Sequence, residues 1–210
     1  MIRDPEKLDR YTAPERVNHW LVAMTFILLA LSGLALFHPA FFPLSQLFGG
    51  GVWTRILHPF IGAALICFFG SMFFRFRKSC ITTAADWEWL SHSREMMNGD
   101  DRNMPEAGKL NGGQKLLFWM LVACMALLVL SGIVMWRAYF SFLFPVAVIR
   151  FAAVVHAATG AGMIALIIGH IYLAIWTKES IGAMLYGKVR RAWAKQHHPA
   201  WYREITGGRK

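Results

Sequence analysis

The chain has 210 residues, of which 56% are hydrophobic and only 16% charged, with a formal net charge of +10. Soluble domains run nearer a quarter charged, so the composition argues against one and for a chain solvated by lipid. The basic excess does not point to nucleic acid, because it lies at the ends of apolar runs, and the three cysteines (Cys67, Cys80 and Cys124) offer neither an even disulfide set nor a C-x-x-C pair.

Residues 1–16, MIRDPEKLDRYTAPER, are polar and lack the short apolar core of a cleaved signal. They read as an arm ahead of a first span that stays in the mature chain. Four segments are long and apolar enough to cross about 30 Å of hydrocarbon as helices: 17–37, 55–74, 114–136 and 148–176. Between Arg16 and Arg55 no residue is charged, so the loop HPAFFPLSQLFGGGVW suits a membrane interface. Residues 75–113 form a polar loop, in which TAADWEWLSHSREMMNG is expected to lie at the interface as an amphipathic helix with Trp87, Trp89 and Leu90 down. Residues 178–210 form a basic tail.

Lys and Arg number four in the arm, seven from Arg75 to Lys115 and eight from Lys178 onward, against Arg55, Arg137 and Arg150 on the other side. The positive-inside rule then places both termini and the central loop in the cytoplasm of a multi-pass inner-membrane protein. A weak internal repeat accompanies the spans. Trp20 precedes Gly33 of LSGL by thirteen residues, and Trp119 precedes Gly132 of LSGI by the same interval. LHPFIG (57–62) and VHAATG (155–160) then open the next span of each half. Two hairpins related by an axis along the membrane normal would give this pattern. Gly33, fourteen residues from His19 on its face, would leave room for a large planar ligand.

The fourth span holds the most informative stretch, VHAATGAGMIALIIGH, in a run free of Asp, Glu, Lys and Arg from Phe151 to Thr177. His156 and His170 are fourteen residues apart, which on an α-helix is about 21 Å of rise and within about 40° of one face. Ionisable side chains inside a membrane mark function by default. His19 lies three residues inside the boundary set by Arg16, and His58 three inside the opposite boundary set by Arg55. Depth therefore pairs His19 with His170 and His58 with His156. A single membrane histidine reads equally well as a structural hydrogen-bonding group. Four that pair at two depths read as axial ligands of two b haems in a four-helix bundle. No C-x-x-C-H is present, so such haems would be non-covalent. With both axial positions filled, electron transfer is the natural role. His38, His92, His197 and His198 read as solvated or structural, and Arg55, Arg137 and Arg150 as ordinary helix-end charges that could pair haem propionates.

Before the third span comes GKLNGGQKLLFW (108–119). Asn111 and the glycines read most simply as a turn and helix cap. They also lie where Asn and Gln side chains and Gly N–H groups could hold a quinone carbonyl near the His19/His170 depth. A haem-free membrane anchor and a small transporter are the competing classes. The transporter is disfavoured because no membrane carboxylate offers a coupling site and no helix is broken by Gly–Pro.

RVNHW (16–20), RILHPFIG (55–62), GKLNGGQKLLFW (108–119), GHIYLAIW (169–176) and RRAWAKQHHPAWYRE (190–204) together resemble the cytochrome b556 (gamma) subunits of respiratory, membrane-bound formate dehydrogenases, in order along nearly the whole chain. Cytochrome subunits of nickel–iron hydrogenases and of other molybdenum oxidoreductases share the histidines but less of the tail. The resemblance implies an all-α membrane bundle with two b haems, His58 and His156 holding the periplasmic-side one and His19 and His170 the cytoplasmic-side one. It implies a quinone, menaquinone or ubiquinone, at Asn111, Gly113 and Gln114, with Gly112 replacing an alanine of close relatives, a change expected to affect loop flexibility. It further implies an iron–sulfur beta subunit, a molybdenum- or tungsten-dependent catalytic alpha subunit, a possible trimer of heterotrimers, and no nucleic acid. Electrons from formate would pass through the two haems to quinone, which takes protons from the cytoplasm, so that charge movement stores energy at about 2.3 kcal/mol per charge per 100 mV.

Overall fold

A computed structural model describes residues 6–97 and 104–207. The chain begins with a short strand β1 (Lys7–Asp9) and continues as α1 (Ala13–Phe37), a 3-10 segment (Pro39–Phe48), α2 (Gly51–Phe76), α3 (Ala84–Ser91) and α4 (Ser93–Met97). It continues with α5 (Gly112–Met135), a 3-10 turn (Ser141–Leu143), α6 (Val146–Trp176), α7 (Ser180–Tyr186), β2 (Lys188–Arg190), α8 (Arg191–His197) and α9 (Pro199–Thr206). Helices α1, α2, α5 and α6 cover the four expected spans, and each is long and apolar enough to cross a membrane. Within a bilayer a helix satisfies its own backbone, and that requirement favours four long uninterrupted helices here. Even Pro59 is carried inside α2, one residue after His58.

The chain divides into two compact units. One holds residues 17–73 and 121–170, the apolar parts of the four long helices. Its buried centre is Leu65, Phe69, Met125 and Met163, with Val22, Phe26 and Leu29 of α1 against it. Met163 lies midway in sequence between His156 and His170, so this packing fills the space between the two histidine levels. Phe151, Leu130 and Ile168 are largely exposed, as befits side chains facing lipid, where burial between helices offers no hydrophobic gain.

The other unit gathers residues 1–16, 74–120 and 171–210. Three side-chain boxes start its helices. Thr12 donates through N and Oγ1 to Glu15 at 2.7 and 2.9 Å, and Thr83 does the same to Asp86 at 2.7 and 2.8 Å. At α5, Gln114 N donates to Asn111 Oδ1 at 2.9 Å and Asn111 N to Gln114 Oε1 at 3.1 Å, which satisfies donors that a helix start leaves free. Helix α3 packs on this start. Trp89 is buried, whereas Trp87 is 59% exposed and Leu90 only half-buried. A helix is present within the expected segment, but the expectation that Trp87, Trp89 and Leu90 share one apolar side is corrected. Trp87 and Trp89 stand about 200° apart on a helix, and only Trp89 is used in packing. Part of that expected segment, residues 98–103, lies outside the described residues.

The basic tail is folded against the arm. Strands β1 and β2 pair antiparallel, Leu8 opposite Val189, and Ala183, Val189, Trp193, Ala194 and Trp201 form a buried core with Leu8, Tyr11 and Tyr202. Gly187 takes φ +80°, and a Cβ there would lie 2.5 Å from the Tyr11 carbonyl, so only glycine fits. At the centre sits Arg10, 5% exposed. Its guanidinium lies 5.0 Å from the Trp193 ring and 5.1 Å from the Trp201 ring, contacts that favour a desolvated cation. Its Nη2 donates to the Lys109 carbonyl at 2.9 Å and to His198 Nε2 at 3.0 Å. Because arginine only donates, His198 is the Nδ1–H tautomer, and that N–H donates to the Gly108 carbonyl at 2.7 Å. Arg10 thus joins the arm, the 108–109 turn and the tail.

Burial, with the Arg10 charge beside it, pushes the His198 imidazole down to about 3. An unfolded chain would bind a proton there near pH 6.5, so the folded state binds fewer protons between those values. Its contribution to stability is full above about pH 6.5 and is lost as pH falls toward about 3. Hydrogen exchange corrected for intrinsic rate should show protection of residues 188–206 falling as pH drops from 6.5 to 4.5. His198→Gln should flatten that dependence; an unaltered profile would show that another group governs it.

Candidate functional site

Within the membrane-helix unit, α1 carries His19, α2 carries His58, and α6 carries both His156 and His170. The structure brings His19 to His170 with ring centroids 6.4 Å apart, and His58 to His156 with centroids 6.2 Å apart. Both pairs are half-buried. The fourteen-residue interval on the continuous α6 sets the levels about 21 Å apart.

The two levels are oriented differently. Ser32 Oγ lies 2.8 Å from His58 Nδ1 and 2.8 Å from the Leu28 carbonyl. Ser131 Oγ lies 2.9 Å from His156 Nδ1 and 2.6 Å from the Leu127 carbonyl. A hydroxyl has one hydrogen, and in each case it goes to the helix carbonyl one turn back. Each serine therefore accepts from imidazole Nδ1–H and leaves the Nε2 lone pair free. At the other level, His19 Nδ1 is buried without a hydrogen-bond partner, and the ring stands edge-on to Trp20 at 5.4 Å. Asn18, beside His19, donates to the Phe68 carbonyl at 3.2 Å and ties α1 to α2.

The internal repeat acquires a physical meaning here. A Cβ on Gly33 would lie 3.4 Å from His58 Cε1, and one on Gly132 would lie 3.4 Å from His156 Cε1. Each Ser–Gly pair of the repeated LSG phrase thus stands against one histidine: the serine holds the ring, and the glycine lies beside its Cε1. Sequence reasoning missed Ser32 and Ser131. Their signal is the recurrence of a hydroxyl just before each repeat glycine.

Chemically, two imidazoles can share one metal ion. A metal–imidazole bond is about 2.0–2.1 Å, so two rings addressing one ion from opposite sides carry centroids about 6 Å apart. Both separations fit. Among the described residues no group of three or more His, Cys, Asp or Glu could hold a metal. Two protein donors per level are too few for an all-protein centre and would suit an iron whose remaining ligands come from a macrocycle.

Asn111 and Gln114 are occupied in the α5 cap through their carbonyl oxygens, and Gly113 lies under Trp89, whose ring a Cβ would meet at 3.0 Å. Gly112 has a stricter role than loop flexibility. A Cβ there would stand 2.5 Å from the Asp86 carbonyl oxygen, so the glycine permits the close approach of α3 to α5. Of the remaining histidines, His38 Nδ1 accepts from Ala40 N at 3.1 Å. His92 Nδ1 lies 3.0 Å from the Glu88 carbonyl, and His197 is exposed.

A sequence model of the prokaryotic cytochrome b561 family matches residues 10–187. The chain is 43% identical to the formate dehydrogenase cytochrome b556(fdo) subunit of Escherichia coli (strain K12), over 93% of this chain and 92% of that one. It is 42% identical to the nitrate-inducible formate dehydrogenase cytochrome b556(Fdn) subunit of the same organism, over 91% and 88%. The formate dehydrogenase cytochrome b556 subunit of Haemophilus influenzae is 36% identical over 97% and 85%.

Gly33→Leu and Gly132→Leu should each destabilise the bundle by about 1–3 kcal/mol through overpacking against a histidine ring. Gly70→Leu, where a Cβ meets nothing within 4 Å, should be neutral. Equilibrium unfolding in mixed detergent checks this, and equal effects at the three sites would contradict the assigned contacts.

Proposed function

Because the chain belongs to the prokaryotic cytochrome b561 family, we propose that it is the membrane cytochrome b subunit of a formate dehydrogenase, carrying electrons through two b haems to quinone. The observation that carries this reading is the two histidine pairs at one-metal separation, one member of each contributed by α6. His19 and His170 hold one haem, and His58 and His156 the other. A haem held by these histidines would supply one-electron chemistry.

The chain's own residues prepare each site. Ser32 and Ser131 fix the tautomer that presents Nε2, and such outer partners are worth about 10–100-fold in ligand affinity. Gly33 and Gly132 leave the space beside the rings of His58 and His156 open, where anything larger than a β-carbon would crowd them. The packed centre of Leu65, Phe69, Met125 and Met163 excludes water between the levels.

The formate dehydrogenase assignment is supported by relatives that match more than nine-tenths of the chain. The family-wide match stops at residue 187. A match of 203 residues within 210 must extend to at least residue 203 and so take in the tail. Partners of the proposed complex are an iron–sulfur subunit and a catalytic subunit that oxidises formate. The Lys and Arg distribution supports cytoplasmic termini, which puts the His58/His156 haem on the periplasmic side as electron entry. The His19/His170 haem and the quinone motif Asn111, Gly113 and Gln114 then lie toward the cytoplasm, and proton uptake there would contribute to proton-motive force.

Reduced-minus-oxidised spectra of the purified complex test the assignment. His19→Ala and His170→Ala should each remove one b haem, and His58→Ala and His156→Ala the other, leaving about one per chain in every case. Formate should reduce the surviving outer haem in the first pair. Loss of both haems together in every variant, with the chain still assembled, would contradict two independent sites.

A further inference from the structure

The sequence motif read as a quinone site borders a cavity of about 230 Å³ whose lining includes Asp86, Trp89, Glu106, Asn111, Gly112 and Lys115. That is room for a quinone head group rather than for a whole drug-sized ligand. Lys115 Nζ lies 2.7 Å from Asp86 Oδ2, and their side chains are 13% and 10% exposed. Asp86 also accepts from Thr83 N and Oγ1, so its carboxylate is positioned by contacts independent of the lysine. A nearly buried ion pair is weak evidence for stability, because desolvation offsets most of its attraction. This one sits one helical turn past Asn111 and lines the same cavity.

We propose that Lys115, positioned by Asp86, is the proton donor to a quinone carbonyl in this cavity. The inference rests on the quinone reading above and deepens it. As the quinone takes two electrons from the chain, the Lys115 Nζ–H bond breaks and an O–H bond forms at the carbonyl that faces it. The second proton reaches the other carbonyl from water, giving the quinol. The neutral amine then recovers a proton from water at the cavity mouth, drawn back by the Asp86 carboxylate. An ammonium suits this role because it has three donors and a titratable proton, whereas a guanidinium stays charged.

The other groups facing Lys115 do not compete with it. Burial, opposed by the Lys115 charge, pushes the Cys80 thiol up to about 11 and keeps it neutral. Glu106, on the cavity wall, is engaged by Arg203 through Nη1 at 2.6 Å and through Nη2, which holds its carboxyl below the usual carboxylate range. Burial raises and the Lys115 and Thr83 contacts lower the Asp86 carboxyl, with a net downward shift, so Asp86 serves as the fixed anion.

The test uses the whole purified complex and a short-chain menaquinone analogue. Lys115→Arg preserves the charge and the pair with Asp86 but removes the transferable proton. We expect its haem content, haem reduction by formate and analogue affinity to stay within twofold of wild type, with quinol formation at least tenfold slower at pH 7.5. Its residual rate should rise about tenfold for each pH unit lowered, because protons must then come from solution, while the wild-type rate stays nearly flat. Full activity and a wild-type pH profile in Lys115→Arg would reduce the pair to a strut between α3 and α5 and overturn the inference. Analogue binding that is insensitive to Asn111→Leu would overturn the quinone reading itself, and the inference with it.

Discussion

Everything in the membrane-helix unit follows from one constraint: two imidazoles from different helices must face each other at each of two depths, in a medium that offers them no water. One helix, α6, meets half of that demand alone, because fourteen residues bring a helix back to nearly the same face. The partners on α1 and α2 must then arrive from opposite ends. His19 sits near the start of α1 and His58 near the start of α2, and these helices run in opposite directions. Burying four imidazoles carries a desolvation cost. It is met at one level by Ser32 and Ser131, which engage Nδ1 of His58 and His156.

The second unit solves a different problem. A polar arm, a polar loop and a basic tail each hold too few apolar residues to fold separately. The tail supplies Val189, Trp193, Ala194 and Trp201, and the arm adds Leu8 and Tyr11. The loop adds the carbonyls of Gly108 and Lys109, and Arg10 stands among them as a cation flanked by aromatic rings. The same guanidinium fixes the carbonyl of Lys109, two residues before the α5 cap. The rigid start of α5, with Asp86, Trp89 and Lys115 on it, therefore depends on contacts made by both ends of the chain.

Much of this was legible in the sequence. Apolar length marked the four helices, and depth alone indicated which histidine meets which. The Ser–Gly phrases stood out as a repeat, but the role of the serines depends on a rotamer and a neighbouring helix, which periodicity does not encode. The tail was harder. His198 and Arg10 have the same letters as solvated residues, and only the gathering of three distant segments turns them into a buried pair. Trp87 and Trp89 looked alike as interfacial aromatics, and the difference is made by Gly112, which lets the Asp86 backbone of α3 approach α5, and by Gly113, on which the Trp89 ring lies.

Whether the paired histidines hold iron is decided by the haem content of the purified complex, measured by pyridine haemochrome together with low-temperature electron paramagnetic resonance. Two non-covalent b haems per chain are expected, both low-spin with two histidine ligands. A complex that oxidises formate and retains this chain, yet carries no haem or a high-spin haem with an open position, would contradict the two-level pairing of His19 with His170 and His58 with His156 as haem sites.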